Sequence, residues 1–139
     1  MHRSLRLLAV LFLFAAAWPA HGVAQEDQTG IVSIYRIAPG QHLAFLQFMA
    51  DGEAAAQDAG VPAPQWYVHH NGDSWDYLSI GPELTDEQNE AVDTASRARG
   101  LKTGGQGAIE FRSFVAWHTD TFVGGPMTAA ELLADAQSD

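Results

Sequence analysis

The chain has 139 residues, of which 17 are acidic and seven are basic, for a formal net charge of −10, and it has no cysteine. A chain this acidic is repelled by nucleic acid and by anionic membrane surfaces. The lack of cysteine excludes disulfides, catalytic thiols and thiolate metal sites, so stability must come from packing or oligomerisation. The length suits one domain with one core.

The first 24 residues are predicted to be a cleaved signal peptide. A basic start precedes a short apolar run, and Gly22 and Ala24 are the small residues that a signal peptidase reads. The apolar run is too short to span a bilayer comfortably. Cleavage after Ala24 leaves five basic and 17 acidic residues, a net charge of −12. We therefore expect a periplasmic or secreted protein with no membrane attachment, in which residues 25–29 form a flexible lead.

The next segments alternate between strand and helix patterns. The run IVSIYRIA is rich in β-branched residues and predicts a strand that ends at Pro39-Gly40. QHLAFLQFMADGEAAAQDAG follows at helical spacing. QWYVHH and SWDYLSIG predict a hairpin, because Asn71-Gly72 can take the positive φ angles of a two-residue turn. This turn would place His70 opposite Asp73.

The second half of the chain contains two helix-start patterns. Thr85 and Gln88 form a capping-box pattern for a second helix, and Thr128 and Glu131 form another for a tail helix. Between these helices, KTGGQG is predicted to be a flexible loop. AIEFRSFVAWHT, from Ala108, is predicted to be a long final strand.

The element order predicts an α+β fold with ferredoxin-like βαββαβ topology and a C-terminal tail helix. The domain would cover residues 30–126, and the tail helix and C-terminus residues 127–139. In this topology the strands lie in the order fourth, first, third, second, and both helices lie on one face of an antiparallel sheet.

Neither face of the predicted hairpin is polar. Trp66 would lie opposite Tyr77 on one face, while Tyr67 and Leu78 point to the other. Because two helices cover only one face, we expect the other face to pack against a second copy of the chain. The sequence therefore predicts a homodimer.

Three stretches carry a resemblance to the dimeric α+β barrel superfamily: IVSIYRIAPGQHLAFLQFM, WDYLSIG and AIEFRSFVAWHTDTFVGGP. The chain looks most similar to the small stand-alone NIPSNAP-like and antibiotic-biosynthesis-monooxygenase-like proteins. The resemblance implies a face-to-face homodimer with a cleft between sheet and helices in each subunit. Members include cofactor-free monooxygenases, haem-degrading enzymes, and isomerase- and dehydratase-like enzymes, so the resemblance implies a fold rather than one activity.

Several candidate site residues fall at one end of the predicted sheet. His69 and Asp76 are the candidate acid/base pair, and His42 is a candidate helper at a helix N-terminus. His118 is expected at the far end. The candidate ligand-binding residues are Tyr67, Trp75, Arg36 and Glu110.

Each of these residues also has a structural interpretation. Asp76 lies in the middle of a predicted strand, where a carboxylate is costly unless it is paired, and Arg36 or a histidine could supply the pairing. His69 and His70 are adjacent on a strand and point to opposite faces, which disfavours a shared metal ion. We therefore predict no metal site, with a histidine-based divalent-metal binder as a minor alternative.

Two classes of function remain open from the sequence. One is an exported dimer that binds a small apolar or aromatic molecule in the sheet–helix cleft, as a cofactor-free oxygenase or isomerase-like enzyme would. The other is a non-catalytic binding or scaffold protein of the cell envelope. The sequence contains no nucleophile elbow, phosphate-binding glycine loop or HExxH motif, and no cofactor is predicted.

Overall fold

The computed structural model describes residues 29–138. The predicted signal peptide and most of the predicted flexible lead lie outside the described residues. None of the described helices is long and apolar enough to cross a membrane. The elements in chain order are β1 (Thr29–Ile37), α1 (His42–Asp58), β2 (Gln65–Val68), β3 (Tyr77–Pro82), α2 (Asp86–Ala98), α3 (Gly104–Phe114), β4 (Val115–Gly124) and α4 (Ala129–Ser138).

The four strands form one antiparallel sheet in the order β2-β3-β1-β4, which is the predicted order. Tyr35 in β1 lies opposite Tyr77 on one side and His118 on the other. Trp66 lies opposite Ser79, two residues away from its expected partner. A shift of two residues leaves the paired residues of β2 and β3 on their predicted faces, because side chains alternate with a period of two.

Residues 104–114 form a helix, so the predicted flexible loop and the early start of the last strand are wrong. α3 begins at Gly104, and β4 begins only at Val115. Phe111 and Phe114 are three residues apart and therefore share one side of a helix. Both rings pack against Phe48 of α1, with centroid separations of 6.2 and 5.4 Å.

Because β4 starts later than predicted, His118 also lies at a different place in the sheet from the one expected. The sequence predicted this residue at the far end of the sheet, but it lies beside Tyr35, two residues from the end of β1. Its ring meets Phe111 edge-on, with a centroid separation of 4.9 Å. His118 is therefore on the helix-covered face of the sheet.

The core lies between the sheet and α1 and consists largely of aromatic rings. Phe45 is fully buried, and its ring lies 5.2 Å from Tyr35 and 5.8 Å from Tyr77. Trp66 and Phe111 complete the contact around it, with centroids 6.2 and 6.4 Å away. These rings fill the space where the sequence placed a cleft between sheet and helices.

The opposite face of the sheet carries exposed apolar side chains. Tyr67 is 49% exposed, Ile80 is 38% exposed and Trp117 is 50% exposed. The strand pairing puts these three residues on the same face as Ile34 and Arg36 of β1. We refer to this surface as the open sheet face.

Both predicted capping pairs are confirmed. The Thr85 hydroxyl accepts a bond from the amide of Gln88 at 3.2 Å, and the amide of Thr85 donates to the Gln88 side chain at 2.9 Å. Thr128 and Glu131 make the same reciprocal bonds before α4. Donation from the backbone amide and then the hydroxyl of Thr128 holds the pKa of Glu131 below its usual range.

We expect Thr85→Ala to lower the free energy of unfolding by about 1 kcal/mol, because the substitution removes the acceptor at the start of α2. Thr94→Ala is the control, since Thr94 lies in the same helix and its hydroxyl makes only exposed bonds, donating to the Glu90 carbonyl and accepting from Arg97. The control should change stability by less than about 0.5 kcal/mol. Urea denaturation measures both, and equal losses would contradict the capping role.

Candidate functional site

A cavity of about 470 Å³ opens at the end of the sheet where β1 ends and α1 begins. The loop between β2 and β3, residues 69–76, forms its other side. We call this space the dyad cavity. Its lining includes all three candidate catalytic residues and two of the four candidate ligand-binding residues, namely His42, His69, Asp76, Arg36 and Trp75.

Asp76 is held in place by the end of β1. One carboxylate oxygen accepts a bond from the amide of Ile37 at 2.7 Å, and the Asp76 amide donates to the Tyr35 carbonyl at 2.8 Å. Asp76 lies just before β3, and its side chain thus provides the acceptor for the last amide of β1. The other carboxylate oxygen lies 3.5 Å from Nε2 of His42. Asp76 is therefore both a structural bridge and one half of an ionisable pair.

His42 owes its position to the helix start. It is the first residue of α1, and its ring lies edge-on against Tyr77 with a centroid separation of 6.2 Å. The side chains of His42 and Asp76 are 46% and 35% exposed, so solvent screens their attraction and a bound molecule can reach them. We call these two residues the dyad.

The structure pairs Asp76 with His42 rather than with His69. The only bond between His69 and Asp76 joins backbone atoms, from the amide of the first to the carbonyl of the second at 3.0 Å. The His69 ring instead packs on Trp75, with a centroid separation of 4.7 Å. Of the predicted acid/base pair, Asp76 lies in an ionisable pair, but its partner is His42 and not His69.

His69 lines the cavity, and one of its ring nitrogens is unsatisfied beneath the surface. Its Nε2 is buried and has no hydrogen-bond partner among the described residues. Buried polar atoms normally have a partner, because leaving one unpaired costs about 1–3 kcal/mol. Gly72 lies over this atom, since a Cβ added at Gly72 would be 3.8 Å away.

The predicted two-residue turn at Asn71-Gly72 is wrong. β2 ends at Val68 and β3 begins at Tyr77, so residues 69–76 form a longer loop. Asp73 does not face His70 across a ladder, because both residues lie in this loop. The Asp73 carboxylate instead accepts a bond from the amide of Ser74 at 2.6 Å. One part of the prediction holds, since Gly72 has a φ of 122°.

We expect Gly72→Val to lower the free energy of unfolding by about 1–3 kcal/mol, because a β-branched residue is strained at this positive φ. The matched control is His70→Ala in the same loop, where the side chain is exposed. The control should change stability by less than about 0.5 kcal/mol. Thermal unfolding measures both variants, and a loss in the control as large as in Gly72→Val would contradict this explanation.

Two candidate ligand-binding residues lie elsewhere. Tyr67 is on the open sheet face, where its hydroxyl bonds to Gln65 at 3.2 Å. Glu110 lies in α3, pairs with Lys102 at 3.1 Å, and borders a separate cavity of about 500 Å³ between α1, α2 and α3. The placement of Glu110 near the dyad is wrong because residue 110 is helical.

The sequence did not reveal a third cavity, of about 430 Å³, on the open sheet face. We call this space the sheet-face cavity. The alternation along β1 could have indicated it, because Ile34 and Arg36 share a face. Its lining residues are Ile34, Arg36, Asp73, Ser74, Trp75 and Trp117. Within residues 29–138, no group of three or more His, Asp or Glu side chains is arranged to hold a metal ion.

The comparisons with known proteins rest on structure alone. No protein-family model matches the chain, and no curated protein matches its sequence. A variant of SnoaB, a cofactor-independent oxygenase from Streptomyces nogalater, is 12% identical over 75% of this chain and 98% of its own, with a TM-score of 0.50.

Two further solved structures have lower TM-scores. A NIPSNAP domain protein from Burkholderia xenovorans is 15% identical over 73% of this chain and 96% of its own, with a TM-score of 0.46. A dimeric ferredoxin-like protein from an uncultured marine organism is 12% identical over 74% of this chain and 91% of its own, with a TM-score of 0.47. At such low identity the comparisons bear on fold alone. The predicted ferredoxin-like α+β fold is confirmed.

Proposed function

We propose that this protein is an exported homodimer that binds a small aromatic molecule in the dyad cavity and exchanges a proton with it. The observation that carries the proposal is the pair of contacts that the Asp76 carboxylate makes. A backbone amide fixes one of its oxygens, and the other faces His42 at the cavity wall. A carboxylate that orients an imidazole is a common way to build a general base.

The composition of the cavity supports an aromatic ligand with a polar group. Trp75 offers a large apolar surface to an aromatic ring, and the dyad offers an imidazole and a carboxylate to a polar group. Arg36 makes no ion pair with any residue in the described chain. The volume lies within the usual range for small-molecule sites, about 300–1,000 Å³.

The open sheet face supports the dimer. An antiparallel sheet with one face on a core usually presents polar side chains on the other. Here Tyr67, Ile80 and Trp117 are exposed instead, and a second copy of the same face would bury them. Export is part of the proposal because of the signal-like pattern in residues 1–24.

The enzymatic form of the proposal starts with deprotonation. His42 would take a proton from an acidic hydroxyl of the ligand, and Asp76 would stabilise the resulting imidazolium. The ligand anion would then react with dioxygen or accept a proton at carbon, which are oxygenase and isomerase chemistry respectively. SnoaB is a cofactor-independent oxygenase of the same fold, so oxygen uptake is the first reaction to assay.

A non-catalytic binding protein is the second candidate. The observation that favours it is the aromatic packing between sheet and α1, which leaves the dyad at the rim of the sheet instead of in an enclosed cleft. Such a protein would hold its ligand without changing it.

The two candidates differ in the effect of His42→Gln. With a panel of dihydroxynaphthalenes as probes, we expect the variant to lose at least about 100-fold in oxygen uptake or isomerisation. Its melting temperature should stay within about 2 °C, because the dyad is solvent-screened. His70→Gln is the matched control and should behave like wild type. Unchanged turnover in His42→Gln would contradict the base role, and binding of a probe without turnover by wild type would favour the second candidate.

A further inference from the structure

The dyad cavity and the sheet-face cavity share one wall. Arg36, Asp73, Ser74 and Trp75 line both, whereas Ile34 and Trp117 line only the sheet-face cavity. The sheet-face cavity opens on the surface that the proposed dimer covers. A ligand at the dyad and the partner subunit therefore meet the same loop and the same arginine from opposite sides.

Arg36 and Trp117 are neighbours across two strands. They are direct register partners on β1 and β4, next to the bulge at Arg36 and Ile37. Opposed residues on adjacent strands have Cβ atoms about 4.5–5.5 Å apart, so the side chains of Arg36 and Trp117 leave the open sheet face side by side, and both line the sheet-face cavity. Trp75 adds a second indole to the same cavity.

The charges in the sheet-face cavity select one kind of ligand. Arg36 is exposed and has no carboxylate within ion-pair distance in the described part of the chain. Asp73 also lines the cavity, and one of its oxygens is engaged by the Ser74 amide. A planar molecule with a carboxylate toward Arg36 and a hydroxyl donating to Asp73 would satisfy both groups.

We propose that the sheet-face cavity binds a hydroxylated aromatic carboxylate, and that the open sheet face of the partner subunit closes it. This inference rests on the proposed dimer and names the ligand class for the same region of the protein. Guanidinium groups hold carboxylates with two parallel bonds, and indole faces favour aromatic rings. Closure by the partner removes water from these contacts, so the site is incomplete in a single subunit.

The test uses 3-hydroxy-2-naphthoate and the neutral 2-naphthol as probes in calorimetric titrations of the mature dimer. Arg36→Gln should weaken the naphthoate at least about 10-fold and 2-naphthol less than about twofold, because only the first carries the carboxylate. Trp117→Ala should weaken both at least about 10-fold.

Phe122→Ala is the matched control, since it removes an exposed aromatic side chain from the same strand, β4, on the face of the sheet opposite to Trp117. The control should change neither affinity by more than about twofold. Sedimentation of each variant at the titration concentration reports whether the dimer persists.

The outcomes separate this inference from the proposed function. A dimeric Trp117→Ala that binds both probes as wild type does would overturn the inference. A dimeric wild type that binds neither probe would also overturn it, while the His42→Gln assay would still test the dyad. A monomeric wild type would overturn the proposed dimer and this inference together.

Discussion

Phe45→Ala is expected to lower the free energy of unfolding by about 3–5 kcal/mol, the usual cost of removing a buried phenyl ring. Phe45 is fully buried and touches the rings of Tyr35, Tyr77, Trp66 and Phe111. The ring therefore determines how α1 sits on the sheet.

Leu43→Ala is the matched control, because Leu43 lies two residues earlier in α1 and is 83% exposed. It should change stability by less than about 0.5 kcal/mol. Urea denaturation of both variants gives the two free energies, and the slope of each transition shows whether unfolding remains two-state. Similar losses would mean that α1 does not pack as described.

Ile80→Asp is expected to turn the proposed dimer into monomers at micromolar concentrations. Ile80 lies on the open sheet face, where a face-to-face dimer would bury the introduced carboxylate of each subunit in one apolar interface. Buried like charges cost several kcal/mol, so the dissociation constant should rise at least about 100-fold. Sedimentation velocity over a concentration series measures this change.

Leu43→Asp is the control for the dimer, because it introduces the same charge at an exposed apolar position on the helix side. This variant should sediment as wild type does. If Leu43→Asp dissociates the dimer and Ile80→Asp does not, the subunits meet through their helices and the open sheet face needs another explanation.

Local patterns predicted those parts of the fold that have strong local signals. The Pro39-Gly40 pair marks the end of β1, and the reciprocal bonds of Thr85 and Gln88 mark the start of α2. The strand order followed from the number and order of the elements, since few topologies accommodate them. Alternation predicted which residues of β2 and β3 share a face of the sheet, but not where the loop residues 69–76 lie.

The misassigned helix α3 shows what local patterns lack. Ile109, Phe111 and Val115 fall on alternate positions with β-favouring side chains, which is typical of a strand. The same stretch also has Phe111 and Phe114 at helical spacing, and their contacts with Phe48 favour the helix. The N-cap residue Thr103 makes no side-chain capping bond, so the helix start carries no confirmed capping signal.

The sequence predicted which residues lie close together at the candidate site, but it did not predict which of them form a pair. The sequence brought His42, His69 and Asp76 to one end of the sheet, and the structure places all three on one cavity. The pairing depends on the loop at residues 69–76, where side-chain bonds to backbone amides from Asp73 and Asp76 replace a tight turn. The Asp73 bond is local and competes with strand pairing, whereas the Asp76 bond reaches Ile37 of β1, and the sequence does not show that either will form.

Native mass spectrometry of the protein purified from its own cells tests the proposed function most directly. We predict a complex of two chains, each beginning at Gln25, that carries a small organic molecule or takes one up from an extract of the same cells. Uptake should fall in His42→Gln and stay unchanged in His70→Gln. A single chain, or two chains that stay free of any small molecule in the extract, would contradict the proposal.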